Sequence, residues 1–326
     1  MLLLISILPC LLSHCNQLFI IKTRYSLKNK TVVEYTTSST HNSRIPACYP
    51  FVKWAGGKRQ ILPQLHALAP SKFDRYFEPF LGGGALFFYL ISSRNRQFAA
   101  YISDINPELI NVYKVIKDNV EQLIKLLTEY EIGYNQAPEY FYELRDKYNL
   151  RSCSDSIERA AQFIALNRTC FNGLYRVNSK GEFNVPWGKY KNPSLCDSNN
   201  LRNVSHALSS CKVTINAADY KDILLQNAIE GDFIYLDPPY SPKSPTANFT
   251  KYTTNGFSNK DQERLAETYK QLDEMKCKVM LTNSKTPLVR ELYASFTITE
   301  VNSKRAINCK ASKRDGHTDL IIRNYL

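Results

Sequence analysis

The sequence predicts an α/β fold with its ligand site at the carboxyl ends of the sheet strands, and three stretches carry that prediction. The apolar run of Phe233, Ile234, Tyr235 and Leu236 reads as a buried strand. It stops at Asp237 because Pro238 and Pro239 have no N–H to give a sheet ladder. A second short strand, through Tyr76 and Phe77, runs into Gly82, Gly83 and Gly84 and then into an apolar helix. A third, from Ala99 to Ile102, ends in Asp104, about 20 residues beyond the glycines, where an acidic side chain can hydrogen-bond ribose hydroxyls. In open α/β sheets, ligands bind outside strand ends of this kind.

The remaining elements follow in order. Residues 51–58 (FVKWAGGK) form the expected start of ordered chain, with a tight Gly56-Gly57 loop and a helical run from Gln60 to Leu68. Arg59 after Lys58 breaks the GxxxxGK[ST] pattern, so the loop is not a phosphate-binding P-loop. Asn106 and Pro107 suit an N-cap and first helical position, opening a long helix through Leu109, Val112, Val115, Ile116, Val120, Leu123 and Leu127. Residues 139–169 read as helical. Strands are expected at Cys211–Ile215, Lys278–Leu281, Phe296–Val301 and Thr318–Tyr325. Ser258 reads as the cap of a helix reaching about Met275, with Asp261 in the capping-box position.

Composition bounds the partners. The chain has 326 residues, is 44% hydrophobic and carries a formal charge of +12. Within the first 48 residues, Lys22, Arg24, Lys28, Lys30 and Arg44 face only Glu34, so +8 of the excess belongs to the rest. That excess suits nucleic acid, or simply solubility. Nine cysteines without CxxC spacing predict reduced thiols, no zinc site and a cytoplasmic protein. Residues 1–12 are apolar but too few to span a bilayer, and no basic residue precedes them. Residues 1–45 are expected to be an extension outside the fold, disordered in its polar Ser/Thr-rich part or the product of a misassigned start.

Three stretches carry chemistry. At Asp237-Pro238-Pro239-Tyr240, a carboxylate and a stiffly held Pro carbonyl can offer two acceptors beside an aromatic face. That set suits a planar substrate with an exocyclic amino group; the bland alternative is an ordinary turn. Asp104 with the Gly82-x-Gly84 loop points to a nucleoside cofactor, and the missing GxGxxG spacing argues against a dinucleotide. Between residues 167 and 191, basic residues interleave with aromatics and Asn, around a hairpin tip at residues 178–181. Phosphates want Lys and Arg, base edges want Arg and Asn, and base steps admit apolar wedges. The segment therefore reads as a DNA contact or, more plainly, an exposed basic hairpin.

With these pieces placed, the chain from about Tyr49 onward resembles the Dam family of DNA adenine N6-methyltransferases. The resemblance rests on FVKWAGGK (51–58), FEPFLGGG (77–84), SDIN (103–106), NGLYRVNSKGEFNVPWGKY (172–190), YLDPPY (235–240) and TANFTKYTTNGF (246–257), in family order. It implies a Rossmann-like S-adenosylmethionine-dependent methyltransferase sheet, mostly parallel with a reversed last strand. It also implies an inserted helical, hairpin-bearing DNA-recognition domain at 119–205, with 46–118 and 206–326 as the catalytic domain. Trp54, Lys58, Phe80, Gly82, Gly84, Asp104, Asp219, Tyr220 and Asp237 match cofactor positions. Asp237, Pro238 and Tyr240 match the catalytic motif. Lys53, Leu174, Arg176 and Pro186 fall where GATC-recognising members read bases, Phe171 and Asn172 at the intercalating edge, and Tyr190 at a backbone contact. Asn178 and Lys189 belong to the same DNA-facing segment. Phe171 replaces a common Tyr, Gly83 a frequent Ala and Trp187 a frequent Phe; none removes a needed chemical group.

The implied reaction needs no metal. Two acceptors localise the amino lone pair of an adenine flipped out of duplex DNA, and the methyl is displaced in line from S-adenosylmethionine. The enzyme is expected to act as a monomer on double-stranded DNA, with no membrane; its role stays open among mismatch repair, replication timing, gene regulation and phage defence. Two rivals share the fold. A release-factor glutamine methyltransferase would carry Asn rather than Asp237 and has no use for a basic hairpin; a decayed DNA-binding protein would not keep Asp237, Asp104 and the glycines.

Overall fold

All seven expected strands form, and they join in one sheet. In the computed structural model they are β1 (Arg75–Glu78), β2 (Ala99–Asp104), β3 (Val213–Ala217), β4 (Phe233–Leu236), β5 (Lys278–Ser284), β6 (Thr297–Ser303) and β7 (His317–Arg323). The structure describes residues 45–93, 98–137, 139–150, 155–241, 257–303 and 317–326. Residues 1–44, and the 246–256 part of the last motif, lie outside the described residues. The sheet order is β3-β2-β1-β4-β5-β7-β6. All pairings are parallel except those of β7, which runs antiparallel to both β5 and β6.

Side-chain alternation along the central strands separates two apolar layers. Tyr76, Phe233, Tyr235 and Met280 point into one core. Phe77, Ile234, Leu236, Val279 and Leu281, their immediate neighbours in sequence, point into the other. Strands buried on both faces read as continuous apolar runs, which is why β4 shows no polar alternation. Helices α2 (Ala85–Ser93), α3 (Pro107–Gln136), α5 (Ser156–Thr169) and α6 (Ser198–Ser210) cover the first face. Helices α7 (Tyr220–Asn227), α8 (Asn259–Glu274) and α9 (Pro287–Leu292) cover the second. Full burial of each large apolar side chain contributes roughly 1.5–3 kcal/mol.

The helix signals hold, with shifts of a few residues. Asn106 caps α3 by accepting from the N–H groups of Glu108 and Leu109, and Ser258 with Asp261 closes a reciprocal capping box on α8. Asn119 interrupts α3 with non-helical backbone. The 139–169 stretch holds two helices, α4 (Tyr140–Leu150) and α5. Helix α1 (Leu62–Leu68) starts two residues after Gln60, because Pro63 is tolerated only in a first turn. The described fold includes residues before Phe51: Ile45 and Cys48 are buried in the same core as Phe51 and Phe88. The described cysteines Cys48, Cys170, Cys196, Cys211 and Cys277 are free thiols.

Candidate active site

The sheet order makes one crevice special. From β1 the chain steps outward through β2 to β3, and β4 then returns to the other side of β1. A ligand site is expected at such a switch point, beyond the carboxyl ends of the strands. The glycine loop follows β1, and Asp237 follows β4. Asp104 ends β2, and Asp219 caps α7 just past β3. The four sequence-predicted elements therefore meet along one edge.

Asp237 is held from two sides. Lys58 Nζ lies 2.6 Å from its Oδ1, and Thr282 Oγ1 donates to the same oxygen at 2.7 Å. Lys58 also donates to the Gly56 carbonyl at 2.7 Å and sits over the Tyr240 ring, 4.6 Å from its centroid. Burial opposes the Lys58 charge, but the Asp237 carboxylate outweighs it and raises the lysine pKa. Burial likewise raises the Asp237 pKa, while Lys58 and the Thr282 hydroxyl pull it back down. Lys58, read from sequence as a cofactor contact, is the counter-ion of the Asp237 carboxylate. A buried ion pair is stabilised by further hydrogen bonds, and here the Gly56 carbonyl and the Thr282 hydroxyl supply them to Lys58 and to Asp237 Oδ1.

The turn after Asp237 is clamped by β5 and α8. Gln262 Nε2 donates to the Pro239 carbonyl at 3.0 Å, and Asn283 Nδ2 donates to Gln262 Oε1 at 2.9 Å. Asn283 Oδ1 accepts from the Ser241 N–H at 3.1 Å, and Ser284 Oγ donates to the Ser241 carbonyl at 2.5 Å. Pro238 is buried beside this clamp. Every member of the clamp is a buried polar group with a partner, which gives a rigid turn rather than a loose one.

The other half of the crevice fits a nucleoside-bearing group. Gly82 and Gly84 have φ of +48° and +65°, which L side chains rarely adopt. A Cβ at Gly82 would lie 2.6 Å from the Trp54 ring, and one at Gly84 would lie 2.8 Å from the Tyr113 hydroxyl. The Gly82 N–H donates to Asp104 at 2.9 Å and Asn106 N–H at 3.0 Å, so the carboxylate is oriented by backbone. Burial raises the Asp104 pKa, and those N–H groups counter it. Phe80 stacks on Tyr220, centroids 5.0 Å apart, and packs edge-on against Phe257. Exposed Ile105 and these rings supply apolar surface and Asp104 an oriented acceptor, a combination that suits a flat base and a ribose. Trp54, predicted to face the cofactor, has its ring stacked with Tyr175 at 5.9 Å and with Phe163 at 6.4 Å. Asp219 is engaged by Arg264, whose two terminal nitrogens donate to its two oxygens at 2.9 and 3.2 Å while the guanidinium covers Tyr220.

The hairpin forms where the turn residues placed it, with Val177 bridging Phe183. Its tip is held by Asn178, whose side chain accepts from the N–H groups of Lys180 and Glu182 and donates to Glu182 Oε2. Asn178, read as a DNA contact, therefore has its amide engaged in the turn. Arg176 is fixed by Asn184, which accepts from Nε at 2.7 Å through its side chain and from Nη2 at 3.1 Å through its carbonyl. At the base of the hairpin several predicted residues meet. Lys53 Nζ lies 4.4 Å from the Tyr190 ring centroid, Tyr190 Oη accepts from the Asn172 N–H, and the Phe171 N–H donates to the Pro186 carbonyl. Gly173 has φ +63°, and its missing Cβ would lie 2.4 Å from Lys53. Phe171, Asn172, Arg176, Pro186 and Lys189 are exposed, while Leu174 is half-buried.

Several residues with no assigned role turn out to build this site. Asn167 ties Lys53 to the base of the hairpin by accepting from the Lys53 N–H and donating to the carbonyls of Lys53 and Gly173. Glu78 is buried at the end of β1, accepts from Tyr76 Oη at 2.8 Å, and has its pKa pushed up to about 8 by burial. Thr282, Asn283 and Ser284 carry one legible signal, an abrupt polar run after Val279, Met280 and Leu281. Arg264 and Gln262 carry none beyond their place on α8.

The seven-stranded mixed α/β fold is consistent with that of S-adenosylmethionine-dependent methyltransferases. Residues 54–307 match the model of the D12 class N6 adenine-specific DNA methyltransferases, and the chain belongs to that family. It is 45% identical over 278 residues to the type II methyltransferase M1.LlaDCHI of Lactococcus lactis subsp. cremoris, covering 85% of this chain and 95% of the relative. It is 44% identical over 289 residues to the type II methyltransferase M.MjaIII of Methanocaldococcus jannaschii, covering 85% and 99%. It is 34% identical over 272 residues to the DNA adenine methylase of Escherichia coli K12, covering 83% and 93%. The protein is thus an adenine-specific DNA methyltransferase that takes its methyl group from a donor and its substrate from DNA. Among the described residues no helix is long and apolar enough to cross a membrane, and no cluster of three His, Cys, Asp or Glu could hold a metal ion.

Proposed function

We propose that this enzyme methylates adenine N6 within GATC in duplex DNA, with S-adenosylmethionine as donor. The observation that carries this reading is the Asp237 carboxylate, anchored by Lys58 and Thr282 at the switch point and followed by a clamped turn. Asp237 and the Pro238 carbonyl accept from the amino group, draw it toward tetrahedral geometry and localise its lone pair. Tyr240 stacks on the flipped base. Lys58 keeps Asp237 anionic, so that it accepts rather than donates. Asp104 takes the ribose hydroxyls, the Phe80–Gly84 loop and Trp54 border the methionine portion, and Asp219 with Tyr220 borders the cofactor adenine. When bound, the cofactor supplies an electrophilic methyl on a sulfonium. The protein's own contribution is positioning and preorganised charge. A base inside a duplex cannot reach such a crevice, so it must leave the stack.

Residues 119–205 serve as the DNA-reading part of this scheme, and 46–118 with 206–326 as the catalytic part. Arg176, braced by Asn184, reads the guanine paired with the final C through the remaining N–H groups of its fork. Leu174 and Pro186 pack on the thymine methyl, Lys53 contacts the first guanine, and Phe171 with Asn172 fills the gap left by the flipped base. Tyr190 and Lys189 contact the backbone. The enzyme acts as a monomer in the cytoplasm, without a metal. The test is methylation of duplexes with one base of GATC changed at a time. Arg176→Ala is expected to relax the fourth position by about 1–3 kcal/mol while cofactor binding stays intact. Full discrimination there in Arg176→Ala refutes the residue assignment, and preference of the unaltered protein for another tetranucleotide refutes GATC.

A further inference from the structure

We propose that Thr282 is a positioning residue for methyl transfer, holding Asp237 so that its Oδ2 is the oxygen presented to the adenine amino group. This rests on the reading of Asp237 as an amino acceptor. The sheet register sets it up. Leu236 on β4 pairs with Leu281 on β5, so the next residues, Asp237 and Thr282, lie side by side. Thr282 is fully buried, and a buried hydroxyl is costly unless its bonds are made. Its bonds are made in one direction: Tyr235 Oη lies 3.3 Å from Thr282 Oγ1, and Thr282 donates onward to Asp237 Oδ1 at 2.7 Å.

Both anchors of the carboxylate fall on the same oxygen, since Lys58 Nζ also lies 2.6 Å from Oδ1. Among the described residues nothing hydrogen-bonds Oδ2. Two donors arriving at Oδ1 from separate parts of the chain, the loop before α1 and the end of β5, fix the rotation of the carboxylate about its Cβ–Cγ bond. Lys58 alone, on a long flexible stem, would supply charge without fixing that angle. Thr282 is β-branched and stiff at χ1, which suits it to hold a direction. The next two residues, Asn283 and Ser284, hold the backbone of Ser241 in the same way. The end of β5 is therefore a template against which the reacting turn is set.

The test compares Thr282→Val, which keeps the shape and loses the O–H, with Thr282→Ser, which keeps the O–H. Asp237→Ala serves as the control. Single-turnover methyl transfer to an unmethylated duplex is followed across pH, together with cofactor and DNA affinity. Thr282→Val is expected to slow transfer by about 10- to 100-fold, the scale of a small misplacement at a reacting centre, with both affinities unchanged. Its acid limb should move to higher pH, because a lost donor makes the Asp237 carboxyl easier to protonate. Thr282→Ser should recover most of the rate. An undisturbed rate and pH profile in Thr282→Val overturns the proposal, as does equal slowing in the Val and Ser variants, which would assign the effect to packing. Should Thr282→Val fail to fold by circular dichroism, Thr282→Ala, which removes the same O–H without adding a methyl, is held to the same expectations. Normal turnover in Asp237→Ala would instead overturn the reading of Asp237 itself.

Discussion

Replacing Lys58 by Met removes the cation from the Asp237 carboxylate while keeping much of the stem. Lys58 Nζ lies 2.6 Å from Asp237 Oδ1, and the two side chains are only 9% and 19% exposed. At that distance an effective dielectric of about 20 gives a Coulomb attraction of about 6 kcal/mol. Desolvation offsets part of it, and removing one partner of a buried pair typically costs about 3–5 kcal/mol. Much of that cost is relieved if Asp237 takes up a proton. The sign is then determined: burial already raises the Asp237 pKa, and loss of the neighbouring cation raises it further. A protonated carboxyl is a poor acceptor for an amino N–H. At neutral pH the variant should lose at least ~100-fold in turnover, comparable to removing one positioned catalytic group. Part of the loss should return as pH rises and Asp237 ionises. The assay is transfer of labelled methyl to duplex DNA between acid and alkaline pH, with cofactor KM measured alongside. An unmoved pH profile would refute the reasoning, as would a rise in KM with normal kcat, which would confine Lys58 to cofactor contact.

Glu78 makes the stability of the fold depend on pH. Its pKa is raised from 4.5 to about 8, so the folded state holds a proton that the unfolded chain releases. Stability contributed this way is complete below about 4.5 and is lost as pH rises through about 8, on the order of a few kcal/mol in all. Glu78→Gln should abolish that loss, and urea unfolding at pH 5 and pH 8 checks it; equal pH dependence in both proteins would contradict it. Removal of residues 1–44, keeping buried Ile45, should leave turnover and cofactor affinity unchanged, and an inactive or insoluble product would show that the removed segment belongs to the fold. Lys189→Ala or Lys191→Ala should weaken all duplexes about equally and lower the slope of log affinity against log salt by about 1 each. A change confined to one DNA sequence would place either lysine on a base instead.

Much of this protein is legible locally. The two prolines end β4 at Leu236, Asn106 and Ser258 cap their helices, and residues 178–181 make the hairpin tip, because each signal acts within a few residues of itself. The carboxylates Asp104, Asp219 and Asp237 could be placed at strand ends by the same means, and ordered motifs pointed to the family. Partners were another matter. Residue type reveals neither that the Asn178 amide closes the hairpin turn nor that Arg264 pairs with both oxygens of Asp219. Residue type reports what a side chain can bond, and neighbours in space decide what it does bond. The β4–β5 register sets Thr282 beside Asp237 and the loop before α1 brings Lys58 onto the same oxygen, while burial at the end of β1 lifts Glu78 out of the usual carboxylate range. Local sequence determines where strands and helices start and stop, because propensity and capping act over a turn or two. Charge state and hydrogen-bond pairing depend on distances between segments far apart in the chain, which the packing of the sheet decides.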